Sequence, residues 1–280
     1  MRSTRITAIA AGVVIMVAGL SACNDDGGKA AGNGSGGSSS GGGSDAAGQK
    51  PGSSQNPADA LKAAQTATDA KKSVQMDGTT KTAQGEQSTK GGLDWSDGTQ
   101  MSVETTMPGS KGKPMKMLYT KDAVYMNMGL PGGKPWMKYS YDALAKQPGA
   151  SGSMLKELLA TASPRNPIEW MSAAQDVKVV GKEDVRGVQA THYSGTISLD
   201  VQGKKLSPAA QAAIKKQLEK SGTKSEKLDI WIDSNNLLVK KQEKLGGKQS
   251  TESTAYYAKY GTKVDVTPPS ASQVTTPPGA

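Results

Sequence analysis

Apolar residues change their spacing several times along this chain, and each change marks an element. Ile6 to Leu20 is an unbroken, largely apolar run of fifteen residues behind Arg2 and Arg5. It is short for a transmembrane helix, which takes about 20 apolar residues, and it suits the apolar region of a signal peptide. From Asn24 to Asn56 the pattern dissolves into Gly, Ser, Ala, Asp and Asn, a composition that buries nothing. As a flexible coil those 33 residues span about 30 Å root-mean-square, at roughly 5–6 Å times the square root of length.

Helical spacing then opens the ordered region. Asn56 is a capping residue and Pro57 fits a first turn, and Ala60, Leu61, Ala64 and Ala67 share a face. From Ser73 to Met128 the spacing drops to two, which is the period of a strand. Met101 with Val103, Met115 with Met117, and Val124 with Met126 and Met128 each load one face. Lys121-Asp122 supplies a turn, and Trp136 to Tyr139 predicts a further strand after Pro131-Gly132-Gly133. Ser153 heads a helix carrying Leu155, Leu158 and Leu159, and Asn166-Pro167 opens another with Ile168, Trp170 and Met171. Val177 to Leu199 predicts a hairpin turning near Glu183-Asp184. Ser207-Pro208 starts a helix that buries Ile214 and Leu218 and ends near Gly222. Leu228 to Leu245 is a second hairpin around Asp233 to Asn236, and Lys248 to Tyr260 is a last strand. Periodicity is lost after Val266, and there is no internal repeat. The spacing predicts one α+β domain of ten or eleven antiparallel strands and four or five helices.

Composition narrows this picture. There is no Phe, aromatic residues make up 4% and apolar residues 35% of the chain. Such a chain has a thin core, or a large sheet with a polar outer face. About 210 ordered residues are enough for one domain burying roughly 70% of its unfolded surface. Cys23 is the only cysteine, so no disulfide supports the core. Without Arg2 and Arg5, 32 basic residues face 25 acidic ones, a net of +7. That charge keeps a domain soluble or draws it to anionic headgroups, by about 1 kcal/mol per basic residue at the surface.

Leu20-Ser21-Ala22-Cys23 stands directly after the apolar run and resembles the lipobox of bacterial lipoproteins. The resemblance implies cleavage after Ala22 and acylation of Cys23 by lipid chains such as palmitate. It also implies anchoring at the extracytoplasmic face of the cell membrane, where nucleic acid is not an expected partner. The chain then divides into a leader, 1–22; an anchor and tether, 23–56; a domain, 57–267; and a Pro-rich disordered tail, 268–280.

Three further stretches point to a family: Asp184 to Thr196, Leu228 to Asp233, and Tyr260 to Val266 followed by Pro268. With the N-terminal helix and the lipobox they resemble the LppX/LprAFG lipoproteins of actinobacteria, relatives in fold of LolA and LolB. The resemblance implies a curved, unclosed antiparallel β-barrel, a half-barrel with helices covering its concave face. It implies an apolar cavity holding acyl chains of a lipid or glycolipid, for transport or presentation in the cell envelope. Each buried methylene contributes about 0.8 kcal/mol, so chains are held without elaborate polar chemistry. No catalytic residue and no cofactor is implied, and a monomer is favoured.

Periodicity assigns the cavity face. Met101, Val103, Met115, Met117, Val124, Met126 and Met128 come from the sheet. Leu155, Leu158, Trp170 and Met171 come from the helices, and Ile197, Ile230 and Ile232 close the far side. Seven methionines fall between Met101 and Met137. The flexible, polarizable thioether makes them plain core, cavity lining, or paired soft ligands for Cu(I). Against a carrier stands a non-transporting interaction or sensor module with a closed core. His192, alternating with Ala190 and Ser194, reads as a hydrogen-bonded strand residue rather than a base. Ser153-Met154-Leu155-Lys156 matches S-x-x-K, but Ser110 to Lys113 and Ser221 to Lys224 match too, so the pattern carries little.

Overall fold

The computed structural model describes residues 56–110, 112–129, 134–145, 152–204, 222–247 and 250–276, with isolated positions between 206 and 215. Cys23 and the tether lie outside the described residues, as do Ile214 and Leu218. Helix α1 (Pro57–Lys71) starts as its sequence dictates. The Asn56 carboxamide oxygen accepts the Ala58 N–H at 3.1 Å, Pro57 occupies the first turn, and Leu61, Ala64 and Thr68 are buried.

A meander follows: β1 (Ser73–Thr82), β2 (Gly85–Asp94), β3 (Gln100–Thr106), β4 (Met115–Tyr119), β5 (Ala123–Asn127) and β6 (Trp136–Ser140). Helices α2 (Tyr141–Ala145), α3 (Gly152–Ala160) and α4 (Arg165–Ala173) come next. The second meander is β7 (Lys178–Val185), β8 (Val188–Ser198), a short α5 (Leu199–Gly203), β9 (Ser225–Asp233), β10 (Leu238–Leu245) and β11 (Thr251–Ala258). A two-residue strand, β12 (Val274–Thr275), ends it. All twelve strands form one sheet in the order β12-β6-β5-β4-β3-β2-β1-β11-β10-β9-β8-β7. Every pairing is antiparallel except β12 with β6. The sheet does not close, and α1 and α4 pack together over its inner face, α4 resting on β8 and β9.

Three details differ from the spacing. The β7–β8 turn falls at Arg186-Gly187, later than Glu183-Asp184. Both residues have positive φ, 54° and 86°, as a two-residue hairpin turn requires, and the Asp184 carboxylate accepts the Gly187 N–H at 2.9 Å. A short helix that the spacing does not predict, α5, follows the hairpin directly at Leu199. Part of the stretch expected as a disordered tail is structured: Ala271–Gln273 forms a 3-10 turn and β12 pairs beside Trp136 and Met137.

Gly78 and Gly91 bring neighbouring strands close on the inner face. A Cβ would lie 2.3 Å from the Thr254 carbonyl oxygen at Gly78, and 2.1 Å from that of Ser102 at Gly91. Among the described residues no helix is long and apolar enough to cross a membrane.

Candidate functional site

Cross-strand register builds the inner face row by row. One row runs Tyr257, Met76, Gly91, Val103, Met117, Met126, Met137 from β11 to β6. The next runs Val74, Leu93, Met101, Tyr119, Val124, Tyr139. Met101, Val103, Met117, Val124, Trp170, Met171, Ile197, Ile230 and Ile232 belong to one buried core, with Met115, Met126 and Leu155 half-buried against it. Leu158 is buried as well, whereas Met128 stands 36% exposed. The residues chosen from periodicity therefore share an interior, apart from Met128.

Burial in this interior is graded. At one end of the sheet Val74, Leu93, Met101, Tyr119 and Val124 are sealed. Toward the other end, where β4 begins and β5 ends, Met115, Met126, Trp136 and Met137 are only half-buried. Met117 is sealed and its sulfur accepts the Tyr119 hydroxyl at 3.4 Å. The methionines thus line a gradient from closed core to open rim.

The same end of the sheet carries a polar band that periodicity did not single out. Lys241 Nζ bonds Glu243 Oε1 at 2.8 Å with both side chains 3% exposed, and Ser253 Oγ donates to Glu243 Oε2 at 2.9 Å. Glu226 is buried on β9, where the Gln202 amide of α5 donates to it. Burial first, and Glu243 second, push the Glu226 carboxyl up to about 8, against the pull of Lys241 and Gln202. Burial works to lower Lys241, but Glu243, Tyr257 and Glu226 leave it raised. Thr80 follows Ser253 in the same row, and beside it Gln87 is also buried. Among the described residues the Thr80 hydroxyl has no hydrogen-bond partner.

The signal for this band was available. Leu238 and Leu245 are seven residues apart, so a period-two strand cannot turn both inward. A bulge between Leu238 and Lys240 resolves the conflict and turns Lys241 and Glu243 inward with Leu245.

His192 lies on the opposite, outer face. Its Nδ1 meets Glu183 Oε1 at 2.8 Å and its Nε2 meets Asp229 Oδ1 at 2.9 Å, while the ring stacks on Trp231 at 4.2 Å. Trp231 Nε1 donates to Glu183 Oε2 at 2.8 Å, and Lys240 Nζ sits 3.8 Å from the Trp231 ring centroid. The Trp231 and His192 bonds hold Glu183 below its usual range. Ionised carboxylates only accept hydrogen bonds, so both contacts are satisfied together when the ring carries two protons. The arrangement ties β7, β8 and β9 together and leaves no ring nitrogen for a substrate.

The unclosed, almost wholly antiparallel sheet with helices over its inner face is the architecture that the sequence leads one to expect. No protein-family model matches the chain. An uncharacterized 31.2 kDa protein in the rplA-rplJ intergenic region of Streptomyces griseus is 38% identical over 242 residues, 79% of each chain. The chain belongs to the family of that protein. A Streptomyces coelicolor protein named as a "putative lipoprotein" is 31% identical over 190 residues, 62% of this chain and 58% of its own. Among solved structures, LprF from Mycobacterium bovis and the lipoprotein LppX from Mycobacterium tuberculosis are similar. Each has a TM-score of 0.47, at 15% and 16% identity, covering 76% and 75% of this chain and 98% of theirs.

Proposed function

We propose that the chain is a membrane-anchored envelope lipoprotein that shelters the acyl chains of an amphiphile between its sheet and its helices. One observation carries this reading: the burial gradient along the methionine rows, sealed at Met101 and Tyr119 and half-open at Met115, Met126 and Met137. Flexible thioethers at the half-buried end suit a chain-binding interior, because Met adapts to an irregular guest. Each methylene taken in contributes about 0.8 kcal/mol, so a single long chain is enough for binding. Anchoring through Cys23 places the domain within reach of its lipid source. The action is extraction, carriage or presentation, with no covalent step.

Native mass spectrometry of the full mature chain, expressed in a lipid-containing host, tests this reading. Co-purified lipid is expected, and Met126→Lys at the half-buried end of the row should reduce it while the fold persists by circular dichroism. A homogeneous lipid-free mass, with no uptake of fluorescent lipid, would instead establish a closed-core interaction module.

A further inference from the structure

The two ends of the sheet differ in charge. At the half-buried end, where β1, β3, β5 and β10 finish, the turns and strand ends carry exposed Lys81, Lys113, Lys116, Lys134, Lys224 and Lys244. Glu86, Glu104 and Glu252 answer three of them, meeting Lys81, Lys116 and Lys244 at 3.6, 3.1 and 3.3 Å. At the sealed end the turns are acidic. Asp94 and Asp97 lie between β2 and β3, Asp122 precedes β5, Asp184 precedes the β7–β8 turn and Asp233 ends β9. Lys71, Lys72, Lys121 and Lys259 stand among these acids and are offset by them. Met128 also belongs to the half-buried end. It follows β5, stands 36% exposed, and is the residue that periodicity placed inside and the fold leaves out.

Chain direction brings the anchor to the same end. Lys72, with a φ of 64°, is the single residue between α1 and β1, so α1 finishes at the sealed end where β1 begins. Helices α1 and α4 run antiparallel: Gln65 Nε2 donates to Ser172 Oγ at 3.0 Å, and Asp69 meets Arg165 at 3.1 Å. Helix α4 finishes toward the half-buried end, where Asp176 accepts the Thr196 N–H at 2.7 Å close to the end of β8. From Gln65, α1 continues back to Pro57, about 12 Å at 1.5 Å per residue. Asn56, where the segment from Cys23 joins, therefore lies on this side.

We propose that this end of the sheet docks on the surface of an anionic phospholipid bilayer, with the turn lysines on the phosphates and Met128 entering the headgroup region. The inference rests on the membrane-anchored, chain-binding reading above. Lysine stems lie along apolar surface while their ammonium groups meet the headgroups. Each adds about fivefold to partitioning onto an anionic surface. Docking in this orientation sets the half-buried Met115, Met126 and Met137 beside the bilayer, on the side from which acyl chains would come.

Vesicle flotation of the mature chain carrying Cys23→Ser tests this, because that change removes the acyl anchor and leaves the rest of the chain intact. The probes are vesicles of phosphatidylcholine and of an equal mixture with phosphatidylglycerol. Binding to the mixed vesicles alone is expected, and it should fall as salt rises. Lys113→Gln, Lys134→Gln and Lys224→Gln together should weaken it about a hundredfold. Lys71→Gln, Lys259→Gln and Lys263→Gln remove the same charge from the sealed end and should leave it unchanged. Cys23 is the only cysteine, so Met128→Cys in the Cys23→Ser chain takes a single environment-sensitive dye. That dye should brighten on mixed vesicles, and the same dye at Lys259→Cys should not. Equal losses from the two lysine sets, or equal dye responses, would overturn the docking surface. Capture by poly(glycerol phosphate) without vesicle binding would overturn it too and assign the lysines to a wall polymer. Native mass spectrometry of the same chains reads co-purified lipid separately. Lipid carried without vesicle binding would overturn the docking alone, and loss of both would overturn the chain-binding reading as well.

Discussion

Glu226→Gln makes the sharpest test of the interior electrostatics, because stability reads it without any ligand. In the unfolded chain a glutamate titrates near 4.5, and in the folded chain Glu226 titrates at about 8. The folded state therefore holds this proton more tightly. Below about pH 4.5 both states are protonated and the group costs nothing. Between 4.5 and 8 the unfolded state ionises and the folded state does not, so stability falls as pH rises. At about 1.4 kcal/mol per unit, the gap sums to about 5 kcal/mol by pH 8, an upper figure because relaxation and water entry lower it. Against a usual total of about 5–15 kcal/mol that is a large share. Urea unfolding of wild type and Glu226→Gln at pH 4.5, 6, 7 and 8 measures it. The variant should match wild type at pH 4.5 and exceed it by several kcal/mol at pH 8. Glu183 and Asp229 are lowered by their hydrogen bonds, so they act below this window, and subtracting the two profiles removes them. Parallel pH profiles, or a variant less stable than wild type at pH 8, would refute the reasoning.

Other perturbations have defined outcomes. Lys241→Met leaves Glu243 and Glu226 buried without a cation and should cost about 3–5 kcal/mol, whereas Lys241→Met with Glu243→Met should recover most of it, by chemical denaturation. Gly91→Ala must push a Cβ away from a backbone oxygen 2.1 Å distant and should cost about 1–3 kcal/mol, while Gly246→Ala meets nothing within 4 Å and should be near neutral in melting temperature. His192→Phe keeps the stack on Trp231 but removes a donor from buried Asp229, which should cost about 1–3 kcal/mol in urea unfolding.

Much of the fold was legible in the chain because one-sided sheets force alternation. The pairs Met101/Val103 and Met115/Met117 lie on strands, and Asn56-Pro57 begins the first helix as its chemistry demands. The apolar half of the interior followed from the same alternation. Legibility failed where a backbone irregularity changes parity. The bulge after Leu238 turns Lys241 and Glu243 inward, and a rule that assigns charge to the outer face overlooks them. Strand β12 was hidden for another reason: two residues between prolines carry no period, and their pairing depends on the Trp136 edge being nearby.

The neighbours of β1 have a consequence for how the molecule is made. Strands β1 to β6 can zip together from local turns as the chain emerges, but β1 keeps one open edge until its partner arrives from residues 252–258. An unsatisfied edge of that length is a template for wrong pairing between chains. Sealing it requires nearly the whole chain and a long-range closure, which sets a slow final step. Biogenesis is therefore governed by the interval between delivery of the first meander and delivery of β11. Escort by a holding factor would matter most in that interval.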